Sequence, residues 1–418
     1  MQQIKKFGAV GGVLVLVACW PLAVGQIAQK VLTDGIAALN NEQFTAKVVD
    51  YDRHYLSALA TTRYEIIDPT LKQQFINDGL PTVFSLKHSI QHGVIKVDSV
   101  TEFVDFDQIP AVLSSVTQLN GNTHFTLDID NINYPIPDTL NSSIYVAASK
   151  IQGKATVLGE IDVMFDIPTV QLHFDSGESW NISSITGSAK GKKDNSFWQG
   201  EQLINVADFA LLLPDGSVEV SATNFSYKFS SSTDHNEERL DTNHLVTVEN
   251  MVSNQGQLDS AKFDFTLGYL DKNAFEGLVG LYQSNAAIDN ALITKSTPLI
   301  DQLFNRGFKI KLNELNITQG KGVFRLDWLL EIPQGTSNVS QDFSKIIPSF
   351  TGDFNSYISN EFIESYPHMQ EGVDELVIME FIQPDENGYK SEAKILDGKI
   401  VFANGQEIPL MMLLLSMM

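Results

Sequence analysis

After about position 43 the chain alternates apolar and polar residues with a period of two. Phe125, Leu127 and Ile129 follow this pattern, and Val170, Leu172 and Phe174 alternate with Gln171, His173 and Asp175. Val218, Val220 and Ala222 do the same; Phe225, Tyr227 and Phe229 follow one register later. Ile310 and Leu312, then Phe324, Leu326 and Trp328, repeat it near the end. Successive side chains of a strand point to opposite faces, so each run has one apolar and one polar side. Antiparallel sheets with a solvated face have this pattern. The sequence therefore predicts a β-rich (α+β) fold, an extended and mainly antiparallel sheet with helical insertions.

Turn residues punctuate the runs: Asn120-Gly121, Pro214-Asp215-Gly216, Gly320-Lys321-Gly322, Asp397-Gly398 and Asn404-Gly405. These pairs supply the positive φ that tight turns require. The last two frame a hairpin from Ala393 to Ile408. A polar stretch from Ser230 to Thr242 reads as a mobile surface loop. Helical spacing appears near 272–305, where Phe275, Leu278, Val279 and Tyr282 form one stripe and Ile288, Leu292, Leu299 and Leu303 another, interrupted near Pro298. A further helical stretch is predicted at 341–369 from Phe343, Ile346, Ile347, Phe350, Phe354 and Ile358. The apolar tail Leu410–Met418 is too short to span a membrane and is expected to fold back over the body.

Residues Phe7 to Gly25 carry no charge and follow Lys5 and Lys6. As a helix they would span about 28 Å, close to the ~30 Å of a bilayer core. Three readings compete. One is an uncleaved signal anchor. Another is a lipoprotein signal, with Leu16-Val17-Ala18-Cys19 as a lipobox. The third is a cleaved leader with Ala23 and Gly25 before the cleavage site. We carry the anchor forward, with the bulk of the chain exported. The predicted organisation is a cytoplasmic end at 1–6, a transmembrane helix at 7–25, a helical stalk at 26–42 built on Ile27, Val31, Ile36 and Leu39, and one large β-rich periplasmic domain at 43–418.

Charge and cysteine content narrow the function. The formal net charge is −23, which disfavours nucleic acid as a partner. One cysteine, Cys19, excludes an intramolecular disulfide and cysteine-rich metal sites.

Tyr51-Asp52-Arg53-His54-Tyr55-Leu56-Ser57-Ala58 resembles the Tyr-x-Arg-Gly-x-Phe-Ser-Ser segment of the bacterial YdgA-like family. His92-Gly93 resembles that family's His-Gly-Pro turn, and Asp397 to Gln406 is similar to its closing Gly-x-Ile-x-x-Asn-Gly hairpin. His54 replaces the usual Gly, and Val94 stands where Pro is common. The resemblance implies an inner-membrane-anchored protein facing the periplasm, and no particular reaction.

The candidate contact residues for a ligand or partner are Tyr51, Arg53, Tyr55 and His92. On a strand Tyr51, Arg53 and Tyr55 share a face, an arrangement able to hold an Arg between aromatic rings for an anion. The alternative is a surface strand whose Arg stem packs on its neighbours. His88 and His92 stand four apart on a predicted strand, a poor metal geometry. Gly187 to Lys193 lacks the spacing of a phosphate loop and reads as a β-turn. Asp234, His235, Glu237 and Glu238 read as a solvated loop rather than a cation site. No catalytic residue, cofactor or metal site is assigned. The expected function is binding of a partner protein or an apolar, lipid-like ligand in the cell envelope, with oligomerisation possible. The rivals are an envelope hydrolase whose site is dispersed in sequence and a structural or assembly protein. An apolar groove favours ligand binding, and a cleft with converging perturbed titratable groups favours an enzyme.

Overall fold

The computed structural model describes residues 23–412 except 94, 105–108, 138, 140, 195–196, 237, 255, 285–289, 337–338, 340–343 and 345. The fold is β-rich and antiparallel with few helices. Contacts divide the chain into two compact units, 1–188 with 212–217 and 189–211 with 218–418. The alternation, read as one body over 43–418, does not register this division, because strands of the same pattern build both units.

In the first unit a helix, α1 (23–38), precedes β1 (Phe44–Arg53), β2 (Ser57–Ile66), α2 (Pro69–Asn77), β3 (Val83–His92), β4 (Lys96–Phe103), β5 (Ala111–Gln118) and β6 (Thr123–Ile129). Next come β7 (Ile132–Pro135), β8 (Ser143–Val146), β9 (Ser149–Ala155) and β10 (Glu160–His173). Strands β1 to β6 form an antiparallel meander. Strand β6 pairs with β9 and β7 with β8, while β9 and β8 together line β10. The pieces β6–β7 and β8–β9 are thus one long hairpin broken midway. Asn131 closes the break, its Oδ1 accepting from Ala148 N at 2.9 Å.

Helix α1 ends at residue 38, before the predicted stalk does, and packs on this sheet. Val24 and Ile36 are buried, and Leu32 covers Ala58, Ala60 and Ile90. The sequence stripe is corrected here: Ile27 and Val31 are 63% and 65% exposed. Of that stripe Ile36 is buried, and together with buried Val24 and half-buried Leu32 it forms the inward line at helical spacing. Gly25 allows the approach, since a Cβ there would stand 2.8 Å from two ring atoms of His92. Of the predicted membrane helix, residues 7–22 lie outside the described residues. Among the described residues no helix is long and apolar enough to cross a membrane.

Strands β11 (Ser179–Asp194) and β12 (Phe197–Leu212) follow. The predicted turn at Gly187–Lys193 is corrected: it lies inside β11, where Gly191 meets Gly200 of β12 so closely that a Cβ on either would strike backbone.

The second unit continues with β13 (Val218–Thr233), β14 (Arg239–Ser253), β15 (Gly256–Asp271), α3 (Lys272–Ser284), α4 (Asn290–Arg306), β16 (Phe308–Gln319), β17 (Gly322–Ile332) and β18 (Thr351–Ser359). After these come α5 (Asn360–Ser365), α6 (Gln370–Ile378), β19 (Gln383–Asp385), β20 (Gly388–Leu396), β21 (Lys399–Phe402) and β22 (Glu407–Pro409). Strands β13 to β18 are a meander, β20 joins β18, and β21 and β22 complete the edge. Asp397 and Gly398 at φ +52° and +73° make the predicted turn between β20 and β21.

Phase slips in the alternation become β-bulges. The change from Val220 and Ala222 to Phe225 and Tyr227 is a register shift in β13, with Asn224 at φ +50°. A second slip, from Leu312 to Leu315 in β16, shifts its pairing with both neighbours.

Two further expectations are corrected. Within 341–369, Ile347–Ser349 form one 3-10 turn, residues 351–359 are strand β18, and α-helix begins at Asn360. Phe350, Phe354 and Ile358 are four apart, a spacing that satisfies both a helix stripe and every second strand position on one face. The first two predicted residues there, Gln341 and Phe343, lie outside the described residues. The Ser230–Thr242 loop is mostly strand: only 234–238 separates β13 from β14, and Ser231, Arg239, Leu240 and Thr242 are buried. At the C-terminus Leu410 is buried in the core and Met411 packs against it, while Met412 is exposed and 413–418 lie outside the described residues.

Candidate functional site

Residues paired across an antiparallel ladder point to the same side. In the second unit the register aligns Phe229, His244, Phe265, Leu312, Trp328 and Phe354 into one transverse row. Beside it run Val246, Phe263, Leu315 and Leu326, and on the other flank Thr242, Leu267, Ile310 and Leu330. The two bulges keep the apolar residues on one face although their sequence parity changes. The opposite face is polar: Asn243 and Asn313 each donate to Asp264 Oδ1, at 2.7 and 2.9 Å, and to Thr266 Oγ1.

Helices cover this apolar face only in part. The α3–α4 hairpin packs over Leu267, Leu270 and Phe308, leaving a cleft of about 540 Å³ also lined by Phe275, Leu278, Val279, Tyr282 and Leu303. A second cleft of about 520 Å³ lies between α6 and the sheet, where Met369, Val373 and Leu376 face Phe324, Ile358 and Tyr389. A third, about 330 Å³, shares Phe324 and Met369 with it. Elsewhere on the face the aromatic rings stay half-buried, and Phe263 is 39% exposed. Phe263 stacks on Phe265 with centroids 6.0 Å apart, and Phe265 meets Trp328 edge-on at 6.5 Å.

One polar pair interrupts the aromatic row. Tyr227 Oη and His244 Nδ1 are hydrogen-bonded at 2.8 Å, and the His244 ring lies 5.0 Å from that of Phe229. Burial holds the His244 imidazole below its usual range, favouring the neutral ring, and pushes the Tyr227 hydroxyl up. Thr242, on the same face of β14, is buried, and its Oγ1 has no hydrogen-bond partner among the described residues.

A buried clasp fixes the helical hairpin over the cleft. Arg239 donates to the carbonyls of Tyr269 (2.8 Å), Arg306 (2.6 Å) and Gly307 (3.1 Å), with its guanidinium 4.2 Å from the centre of the Tyr269 ring. The last two carbonyls end α4, where a cation complements the helix dipole. Asp271 accepts from Ala274 N at the start of α3 and from Gln302 and Arg306 of α4. Tyr269, at φ +59°, is held from its other side by Asp241 Oδ1, which accepts from Tyr269 N. The polar Ser230–Thr242 segment concealed Arg239 and Thr242 from sequence reasoning. The one legible signal was their position just before an alternating run.

The residues singled out from sequence lie in the first unit. Tyr51 pairs with Ala60 and packs on the Ala58, Ala60 and Ile90 cluster under α1, whereas Arg53 and Tyr55 are exposed. Burial raises the Tyr51 phenol, and the Arg53 charge acts in the opposite direction. His92 is fully buried against Gly25; among the described residues neither its ring nitrogens nor Tyr51 Oη finds a partner. His88 lies on the same face of β3, with its ring nitrogens bonded to Thr62 Oγ1 and Thr101 Oγ1 at 2.8 Å each. The structure thus places Tyr51 and His92 on the covered face and leaves Arg53 and Tyr55 at the surface. Asp234 Oδ1 accepts from the backbone N–H of Glu238 and Arg239, and Glu238 pairs with Arg306; Glu237 lies outside the described residues. Among the described residues no three His, Cys, Asp or Glu side chains group as metal ligands.

An antiparallel β-rich fold with an apolar, partly roofed sheet face defines a class by its architecture rather than by a reaction. The chain belongs to the family of bacterial proteins of unknown function DUF945, whose model matches residues 4–411. No curated protein and no solved structure matches it.

Proposed function

We propose that this protein is a non-enzymatic binding protein of the bacterial envelope, tethered to the inner membrane by the uncharged segment that begins at Phe7 and precedes α1, with the bulk of the chain in the periplasm. Its ligand is apolar and lipid-like, and it binds on the apolar sheet face of the second unit. The observation that carries this reading is the cleft of about 540 Å³ whose eight lining residues, Leu267 and Phe275 among them, are apolar apart from one tyrosine hydroxyl. Its volume falls within the ~300–1,000 Å³ usual for ligand sites. A fully buried Leu or Phe stabilises a fold by about 1.5–3 kcal/mol. Partly exposed rings across several strands forgo part of that stabilisation, which a bound chain would recover. The uncharged 7–25 segment after Lys5 and Lys6 supports the tether and its orientation.

The test is titration of the full-length protein with N-phenyl-1-naphthylamine, an apolar dye, followed by displacement with long-chain fatty acids. Saturable binding that Leu267→Asp and Phe275→Asp each weaken by an order of magnitude or more agrees with the reading. Unsaturable uptake of dye, unchanged in both variants, contradicts it.

A further inference from the structure

The apolar face is not uniformly apolar, and its polar interruption is localised. Thr242 stands directly opposite Leu267, which lines the cleft. Its side chain is 5% exposed, yet Oγ1 has no hydrogen-bond partner among the described residues. A threonine on a strand commonly satisfies its hydroxyl across the ladder, as Ser260 does here with Thr318 at 2.7 Å. Leaving a buried hydroxyl without a partner costs about 1–3 kcal/mol. Two residues further along the same face of β14, about 7 Å away, His244 is held by Tyr227 at 2.8 Å. When Tyr227 donates to Nδ1, the neutral ring carries its proton on Nε2 and has a second donor to offer. The order along the face is therefore apolar cleft, buried hydroxyl, then polar aromatic pair. That order matches an amphiphile lying along the strand, with hydrocarbon first, then a hydrogen-bond acceptor, then a head.

Resting on the reading above that the cleft takes a lipid-like chain, we infer that the ligand is an acyl compound whose carbonyl oxygen accepts a hydrogen bond from Thr242, with its head directed toward His244 and Tyr227. The acceptor is common to a free fatty acid and to an ester-linked lipid. A hydrocarbon or an ether lipid of equal length lacks it.

Native mass spectrometry of the full chain tests this with three probes: palmitoyl lysophosphatidylcholine, its hexadecyl ether analogue, and palmitic acid. The expected result is an acyl-over-ether preference of about 3- to 10-fold, the worth of one hydrogen bond. Thr242→Val removes that preference, bringing acyl and ether affinities to the same value; Thr242→Ser retains it. Palmitic acid bound as tightly as the lysophospholipid supports a carbonyl site indifferent to the source, and tighter lysophospholipid binding with the acyl preference intact supports an ester-linked source. Equal acyl and ether binding in the unsubstituted protein, or an acyl preference that survives Thr242→Val, overturns the inference while the apolar site stands. Failure of all three probes to bind overturns the apolar site and this inference with it.

Discussion

The two units use the same alternating strands, yet their apolar faces are covered differently. In the first, helix α1 lies directly on β1–β3: Gly25 meets His92, Leu32 meets the Ala58, Ala60 and Ile90 cluster, and His88 is satisfied by two threonines. Small residues under a helix allow close approach, so that part of the face is ordinary core. In the second, the roof is a helical hairpin held at its ends by Arg239 and Asp271, and bulky Leu267, Leu270 and Phe308 face it across a cleft. Alternation makes a face; the size of the residues beneath the cover and the place where the cover is fastened decide whether it is sealed.

The roof of the second unit is most vulnerable at the clasp. Arg239→Met removes a buried cation from three carbonyls, and bonds to charged groups are worth about 1.5–3 kcal/mol each before any rearrangement. A loss of about 3–5 kcal/mol is expected in urea denaturation, together with loss of dye binding. A smaller effect follows from Leu410→Ala, which empties a fully covered site in the second unit's core; about 2–4 kcal/mol is expected from the shift in denaturation midpoint. In the first unit Gly25→Val drives a side chain into His92 and should cost about 1–3 kcal/mol, with His92→Ala relieving part of it in a double-mutant cycle. Dye binding in the second unit should be unaffected by that change.

The smallest effect is a pH dependence. Burial holds the His88 imidazole below the ordinary histidine range, about 6.5. The folded protein therefore keeps this ring neutral while the unfolded chain takes up a proton as pH falls through about 6.5. The stability it contributes is fully present above that value, declines below it, and levels off once pH is under the folded pKa. Denaturation midpoints at pH 7.5 and 5.0 should differ less in His88→Gln than in the unsubstituted protein.

Much of the sheet was legible because strand periodicity survives in sequence even across bulges: the parity change between Ala222 and Phe225 is itself the bulge at Asn224. The turns at Asn120-Gly121, Asp397-Gly398 and Asn404-Gly405 were legible for the same reason, since few residues tolerate their backbone. β18 was misread because apolar residues four apart fit both periods. The candidate site was largely hidden. Its central row runs across six strands, a register that no local pattern contains, and its polar members Thr242 and Arg239 sit in a segment whose composition signals a loop. Tyr51 and His92 drew attention by motif and proved to be half-buried and buried beneath α1, where their environment differs from that of a surface strand.

The second unit's apolar face is proposed to be a binding surface and not an imperfect core. A protein retaining Trp328 alone, with Trp20, Trp180 and Trp198 replaced by phenylalanine, reports on that face directly, because Trp328 lies in the aromatic row beside Phe265. Titration with a brominated fatty acid should quench its fluorescence saturably, and Phe275→Asp should abolish saturation. Quenching that rises linearly without a plateau, equally in both proteins, would contradict the account.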